Sequence, residues 1–244
     1  DMLGHGVVNR LSHSKIDTRY VRFAPSAGMG LWMVINDAAG RQAGAISQMP
    51  DVKHIERIID EHGDAIVREA DHIVLEIDLN EQISRRVLDL AWMYGKQVYA
   101  LPGNMEVLLR NVELLKKVSC FICNDIEAGR LFHTETAGKD PEDMQRLVRR
   151  GVKELELPSM VITLGEKGCV FCDARKGAPE DGWEPAIATD VIDPSGAGDA
   201  FFSGTTLALT RGLPMRKAVK AGTQAAHRVL HSTESTVPAA KAVE

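Results

Sequence analysis

The sequence predicts an α/β fold: a mainly parallel sheet between layers of helices, with a small antiparallel β patch near the N-terminus. Three observations predict it. From about Val52 onward, apolar strand-like runs alternate with segments of helical periodicity. The strand runs, such as Met160-Val161-Ile162, are continuously apolar, as strands are when helices cover both faces of a parallel sheet. Residues 18–47 follow another pattern, with short β-type runs and a Gly-containing turn.

The elements follow in order. Residues 1–15 read as the end of a helix. Within the β patch, residues 19–23, 30–36 and 42–46 are strand-like, and Asp37-Ala38-Ala39-Gly40 is a hairpin turn. Residues 73–77 form the first strand of the α/β body, and Ile83, Val87, Leu90 and Ala91 mark one face of the helix after it. Residues 97–101 are the second strand, followed by a helix through Val107, Leu108, Val112 and Leu115. Residues 118–123 are the third. Asp140 is then an N-cap with Pro141 at the first helical position, and Met144, Leu147, Val148 and Val152 form the buried stripe. Residues 160–164 are the fourth strand. The polar, Gly- and Pro-containing stretch between Cys172 and Trp183 reads as a surface loop. A β-type run over residues 187–192 leads into a small-residue turn, a helix over 200–209 and an alanine-rich helix over 218–230. The domain division is an α/β core of residues 1–17 and 48–244 and a β patch of residues 18–47.

Composition narrows the function. The chain has 244 residues, 44% hydrophobic and 26% charged, as ordinary globular proteins have. A net charge of −5 with scattered Lys and Arg offers no basic stripe for nucleic acid. No apolar run reaches the length of a membrane span. The four cysteines lie in apolar strand-like runs, which fits reduced thiols of a cytoplasmic protein. They form two Cys-x-x-Cys pairs, Cys120/Cys123 and Cys169/Cys172, but 45 residues separate the pairs. Strand positions three apart also face opposite ways, so a zinc knuckle is not expected. His227 and His231 are four apart on a helix, a spacing that can chelate metal; with no third ligand nearby in sequence they read as surface histidines.

The chemistry concentrates in Asp193-Pro194-Ser195-Gly196-Ala197-Gly198-Asp199. Two glycines where a turn becomes a helix let backbone approach a ligand without a Cβ between them. The unpaired N–H groups of the new helix make a seat for an anion. Asp199 places a carboxylate beside that seat, an arrangement suited to phosphoryl transfer. As an ordinary helix start, the same segment would use Asp199 only as a favourable charge at the positive end of the helix dipole. Phe201 stands where a dinucleotide fingerprint has its third glycine, and the chain has neither a Walker loop nor a Gly-x-Ser-x-Gly elbow. Two further segments stand at strand ends. Thr163-Leu164-Gly165-Glu166-Lys167-Gly168 is a tight glycine turn, and Asn124-Asp125-Ile126-Glu127 has the spacing of a helix-capping box.

Together these motifs resemble the PfkB (ribokinase-like) family of sugar and nucleoside kinases. Residues 193–199 are similar to its Asp-Thr-Thr-Gly-Ala-Gly-Asp signature, with Pro194 and Ser195 replacing the threonines. Residues 163–168 resemble its Thr-Leu-Gly-x-x-Gly turn, which borders the nucleotide. Asn124 and Glu127 resemble its Asn-x-x-Glu motif, which holds Mg²⁺, largely through water, and the phosphates. The alanine-rich helix resembles the one behind the adenine, and residues 183–206 are most similar to pseudouridine-kinase-like members. Three departures fall on the acceptor side. The family's N-terminal strand, with its sugar-holding Asp, and its Gly-Gly motif would precede Asp1, so a truncated or partial chain is expected. Leu101-Pro102-Gly103-Asn104 stands where members often carry Asp-x-Asn, and Ser47-Gln48-Met49 where pseudouridine kinases tend to have Asn-Asp-Met.

The resemblance implies a ribokinase-like three-layer α/β/α sandwich with a β lid over residues 18–47. It implies ATP-dependent phosphorylation of a hydroxymethyl group on a sugar or nucleoside such as ribose or pseudouridine. Asp199 would be the base, the amides around Gly196, Ala197 and Gly198 the anion hole, and Asn124 and Glu127 the Mg²⁺ organisers. Thr163, Gly165 and Gly168 would border the nucleotide. ATP and Mg²⁺ are the implied cofactors, with room for a monovalent cation, and a homodimer through the lid is the implied assembly. The competing class is a non-catalytic sugar or nucleoside sensor on the same scaffold, against which the intact Asp199 argues.

Overall fold

The computed structural model describes residues 2–24, 29–36, 42–103, 105–175, 177 and 179–232. The chain divides into two compact units, Asp1–Asp64 and Ala65–Glu244. The first holds helix α1 (Met2–His13), the antiparallel strands β1 (Leu31–Asn36) and β2 (Gln42–Gln48), and most of helix α2 (Lys53–Glu69). The expected turn at residues 37–40 lies outside the described residues. Residues 19–23, expected as a strand, are a turn and irregular chain instead. The Arg19 N–H donates to the Asp17 carboxylate at 3.0 Å and the Val21 N–H to the Thr18 carbonyl at 2.9 Å. An Asp side chain that captures a backbone donor two residues on competes with strand pairing, and here it wins.

The second unit is built on strands β3 (His72–Glu76), β4 (Gln97–Leu101), β5 (Cys120–Asn124), β6 (Ser159–Thr163), β7 (Cys169–Asp173) and β8 (Glu180–Glu184). They lie in chain order; β3 to β6 are parallel, and β7 and β8 join antiparallel. Residues 120–123 of β5 and 159–162 of β6 are buried throughout, so apolar side chains on both faces are covered. The helices are α3 (Glu81–Met93), α4 (Glu106–Arg110), α5 (Asp125–Leu131), α6 (Pro141–Glu154), α7 (Ala197–Thr210) and α8 (Met215–Leu230). Asp140 caps α6 through the Asp143 N–H, Pro141 opens it, and Met144, Leu147, Val148 and Val152 are buried, as their spacing requires. No helix among the described residues is long and apolar enough to cross a membrane.

Three segments depart from the sequence pattern. The helix expected through Val107 and Leu115 breaks into α4 and a 3-10 turn at Val112–Lys117. Asn111 sits at the break: its side-chain amide donates to the Val107 carbonyl at 2.9 Å while its oxygen accepts from Arg85 at 2.7 Å. The polar stretch read as a loop contains β8, paired with β7 from Asp173 opposite Glu180 to Cys169 opposite Glu184. An edge strand has one solvated side, so it carries no continuous apolar run. Residues 187–192, expected as a strand, belong to an irregular strap over residues 185–192. Pro185 removes a ladder donor at its start, and the Ile192 N–H donates to the Leu230 carbonyl at 2.9 Å rather than to a strand.

All four cysteines are free and buried in β5 and β7. Burial pushes the Cys120 and Cys172 thiols up to about 11 and Cys169 up to about 12, and holds Cys123 well above its ordinary value. Thiols this protonated make poor metal ligands and poor nucleophiles. Titration of the native protein with a thiol-reactive chromogen at pH 8 should therefore show no fast phase, and all four thiols should react after unfolding. A stoichiometric burst from the native protein would contradict this burial.

Candidate active site

The site is assembled at the carboxyl ends of the parallel strands, where open α/β sheets hold ligands. Asn124 and Thr163 are register partners at the ends of β5 and β6, which sets two of the sequence motifs side by side. After Thr163 the chain tightens through Gly165–Lys167, and the Leu164 N–H donates to the Gly168 carbonyl at 2.7 Å to close the turn. Beyond β8, residues 185–192 run as the strap and lead to Asp193. The Asp193 carboxylate accepts the Ser195 N–H at 2.8 Å, a bond that holds its carboxyl below the usual carboxylate range. Gly196 then takes φ of 81°, the left-handed conformation that side chains resist, and α7 begins. The Ala197 N–H donates to the Pro194 carbonyl at 3.2 Å and the Ala200 N–H to the Gly196 carbonyl at 2.9 Å. That leaves the amides of Gly198 and Asp199 without an acceptor among the described residues. A Cβ on Gly198 would meet nothing within 4 Å, so the backbone there faces open space.

That space belongs to a cavity of about 840 Å³. Thr163, Gly165 and Gly168 line one side, Ala197 and Gly198 the start of α7, and strap residues 186–189 and 191 another wall. Phe201 of α7 and Thr223, Ala226, His227 and Leu230 of α8 form its floor, apolar at Phe201, Ala226 and Leu230. Helices α7 and α8 approach closely enough to form that floor because Gly222 carries no side chain: a Cβ there would lie 2.1 Å from Thr205 Oγ1.

Carboxylates gather outside the cavity lining. Asn124 and Glu127 form a complete capping box for α5, each side chain accepting the other's backbone N–H at 2.8 Å. Burial pushes the Glu127 carboxyl up; the Asn124 N–H opposes the rise and the charge of Asp78 adds to it. Partial burial likewise raises Glu76, at the end of β3, with the charges of Asp78 and Asp199 contributing after it. Asp78 itself is buried and accepts the N–H groups of Gly103, Met105 and Leu108 at 3.0, 3.0 and 2.9 Å, so it fixes the start of α4. Asp199 is exposed in the first turn of α7. Among the described residues no three His, Cys, Asp or Glu side chains form a metal cage by themselves.

The chain matches the family described as pfkB family carbohydrate kinase over residues 1–242. It belongs to that family. It is 28% identical over 235 residues to the guanosine-inosine kinase of Exiguobacterium acetylicum, a match covering 96% of this chain and 76% of that one. It is 24% identical over 221 residues to the pseudouridine kinase of Escherichia coli K12, covering 90% and 68%. The structure of Arabidopsis thaliana ribokinase complexed with ribose and ATP superposes with a TM-score of 0.72 at 20% identity, covering 91% of this chain and 70% of that one. The fold is the ribokinase-like three-layer α/β sandwich, with a small additional β sheet.

On this PfkB fold the motif residues take distinct places. Thr163, Gly165, Gly168, Ala197 and Gly198 surround one cavity, Gly196 sets the turn behind it, and Asp199 stands in the same helical turn. Asn124 and Glu127 lie at the neighbouring strand end, outside the lining. Sequence reasoning missed the strap as a wall and missed Glu76 and Asp78. The strap gave a misleading signal, since Ile187, Val191 and Ile192 read as strand. The signal for the carboxylates was present in Glu76-Ile77-Asp78, two acids at the exit of an apolar strand.

Proposed function

We propose that this chain is an ATP-dependent kinase that phosphorylates the hydroxymethyl group of a nucleoside or pentose. One observation carries the reading: two acceptor-free amides, Gly198 and Asp199, open beside the Asp199 carboxylate at the edge of an 840 Å³ cavity. The apolar floor from Phe201, Ala226 and Leu230 suits the base of ATP, and Gly198 lets phosphate oxygens reach the amides. The Asp199 carboxylate takes the acceptor's hydroxyl proton as the acceptor oxygen bonds to the γ-phosphorus. The bond from that phosphorus to the β–γ bridging oxygen breaks, and ADP leaves. The amides stabilise the charge that builds on the moving group.

The donor set also fits Mg²⁺, a hard cation that keeps several waters and needs only one or two protein carboxylates. Glu127 spends one oxygen on the Asn124 N–H and leaves the other available, and burial followed by the charge of Asp78 raises both the Glu127 and Glu76 carboxyls, a penalty that a bound cation would relieve. Bound with ATP, the ion would neutralise phosphate charge, and Glu127 and Asn124 would hold its water shell. Glu127→Gln keeps the capping box, because Gln serves at that position too, but removes the charge. The Mg²⁺ concentration for half-maximal activity should rise about 10-fold, as when a partner of a metal's ligands is lost. An unchanged Mg²⁺ titration would leave Glu127 as a helix cap alone.

The nucleoside side is favoured by the names of two relatives, a guanosine-inosine kinase and a pseudouridine kinase. Residues 18–47 are assigned the lid. Its two-stranded sheet is too small to bury both faces, and Trp32 and Ile46 are 67% and 60% exposed, which supports a second copy pairing there. The reading is tested by acceptor-dependent ADP release across guanosine, inosine, pseudouridine, cytidine and ribose. At least one should be turned over; no release with any nucleoside or pentose would leave the binding-sensor alternative in its place.

A further inference from the structure

His227 and His231 lie one turn apart at the C-terminal end of α8, and their Nε2 atoms are 3.3 Å from each other. The Thr189 hydroxyl, from the strap, is in contact with His231 Nε2, so three donor atoms from two elements converge. The backbone bond from Ile192 N–H to the Leu230 carbonyl pins the strap to the end of α8 and holds the three together. We propose that these side chains form a binding site for a borderline transition metal ion, Zn²⁺ or Cu²⁺, at the rim of the cavity.

The geometry fits that chemistry. Two nitrogens 3.3 Å apart, each about 2.05 Å from a shared zinc, subtend about 107° at the metal, close to the tetrahedral angle. Imidazole nitrogen is the donor that zinc and copper prefer among side chains that keep no charge. The ion takes one Nε2 lone pair from each ring. The Thr189 hydroxyl lies too near His231 Nε2 to take another corner of the same tetrahedron; it is placed to hydrogen-bond a metal-bound water, and water completes the coordination. The four cysteines do not compete, being buried thiols distant in sequence and held in β5 and β7. Thr189 and His227 both line the cavity, so an ion on the two histidines, tied to Thr189 through water, would fasten the strap to α8 and narrow the opening.

The test is calorimetric titration of the nucleotide-free protein with Zn²⁺, with Cu²⁺ electron paramagnetic resonance beside it. One ion per chain should bind, and the copper spectrum should carry coupling from two imidazole nitrogens. His231→Ala, at an exposed position, should weaken binding at least ~10-fold and remove one nitrogen from the spectrum. His227→Ala should do the same. Absence of a one-to-one site, or a site that survives both substitutions unchanged, would overturn the proposal. A circular dichroism spectrum unchanged in the variants keeps either result from being read as misfolding.

Discussion

Asp199→Asn should lower turnover at least ~10²-fold while ATP still binds, the pattern of a lost general base. Asn keeps the size and shape of Asp and remains acceptable near a helix start, so α7 should form as before. The favourable carboxylate near the dipole is lost, at a cost of about 0.3–1 kcal/mol, too little to unfold the unit. Binding should survive because the Gly198 and Asp199 amides belong to the backbone and persist in the variant. Asp199 also contributes to holding Glu76 above its ordinary carboxyl value, so neutralising it should let Glu76 titrate lower. NMR of the Glu76 carboxyl reads that shift directly and shows that the substitution changed charge at the intended place. Near-normal turnover with an identified acceptor would mean that another group takes the proton.

Both the glycine turn and the signature loop were legible because their physics is local. Gly196 and Gly168 have positive φ values of 81° and 91°, so a short sequence states its own conformation. The same is true of Asn124 and Glu127, whose capping box needs only a spacing of three. The strap was not legible, because its path is fixed by partners far away in sequence. Ile192 bonds to Leu230, and the strap's first residues press on Gly168. Strand β8 was hidden for a related reason. Glu180-Asp181-Gly182-Trp183-Glu184 has almost no apolar content, and its pairing depends on Phe171 beneath Gly182, where a Cβ would lie 2.7 Å from the ring. The sequence shows Asp78 only as an acid at the exit of an apolar strand. Its role as the acceptor for three N–H groups appears only when Gly103, Met105 and Leu108 fold back onto it.

Gly168→Ala is expected to be the most damaging single-methyl change in the site. The residue has φ of 91° and ψ of −129°, a region that only glycine occupies freely. A Cβ there would stand 2.0 Å from the Glu184 carbonyl oxygen, 2.6 Å from the Ala186 nitrogen and 2.7 Å from the Pro185 carbonyl carbon. All three are backbone atoms, so no side chain can rotate away, and the end of β8 with the first residues of the strap must move. Backbone strain and overpacking together should cost about 2–5 kcal/mol. Thermal unfolding should shift down by at least ~5 °C for a unit of this size. Because Gly168 and Ala186 both line the cavity, ATP affinity should fall with it. Gly165→Ala is the matched control: its φ is 58°, and a Cβ there meets nothing within 4 Å, so only the left-handed backbone cost of about 1–2 kcal/mol applies. Equal stability of the two variants would show that the strap does not rest on Gly168. A large loss confined to Gly168→Ala would show that this single missing side chain sets the wall of the site.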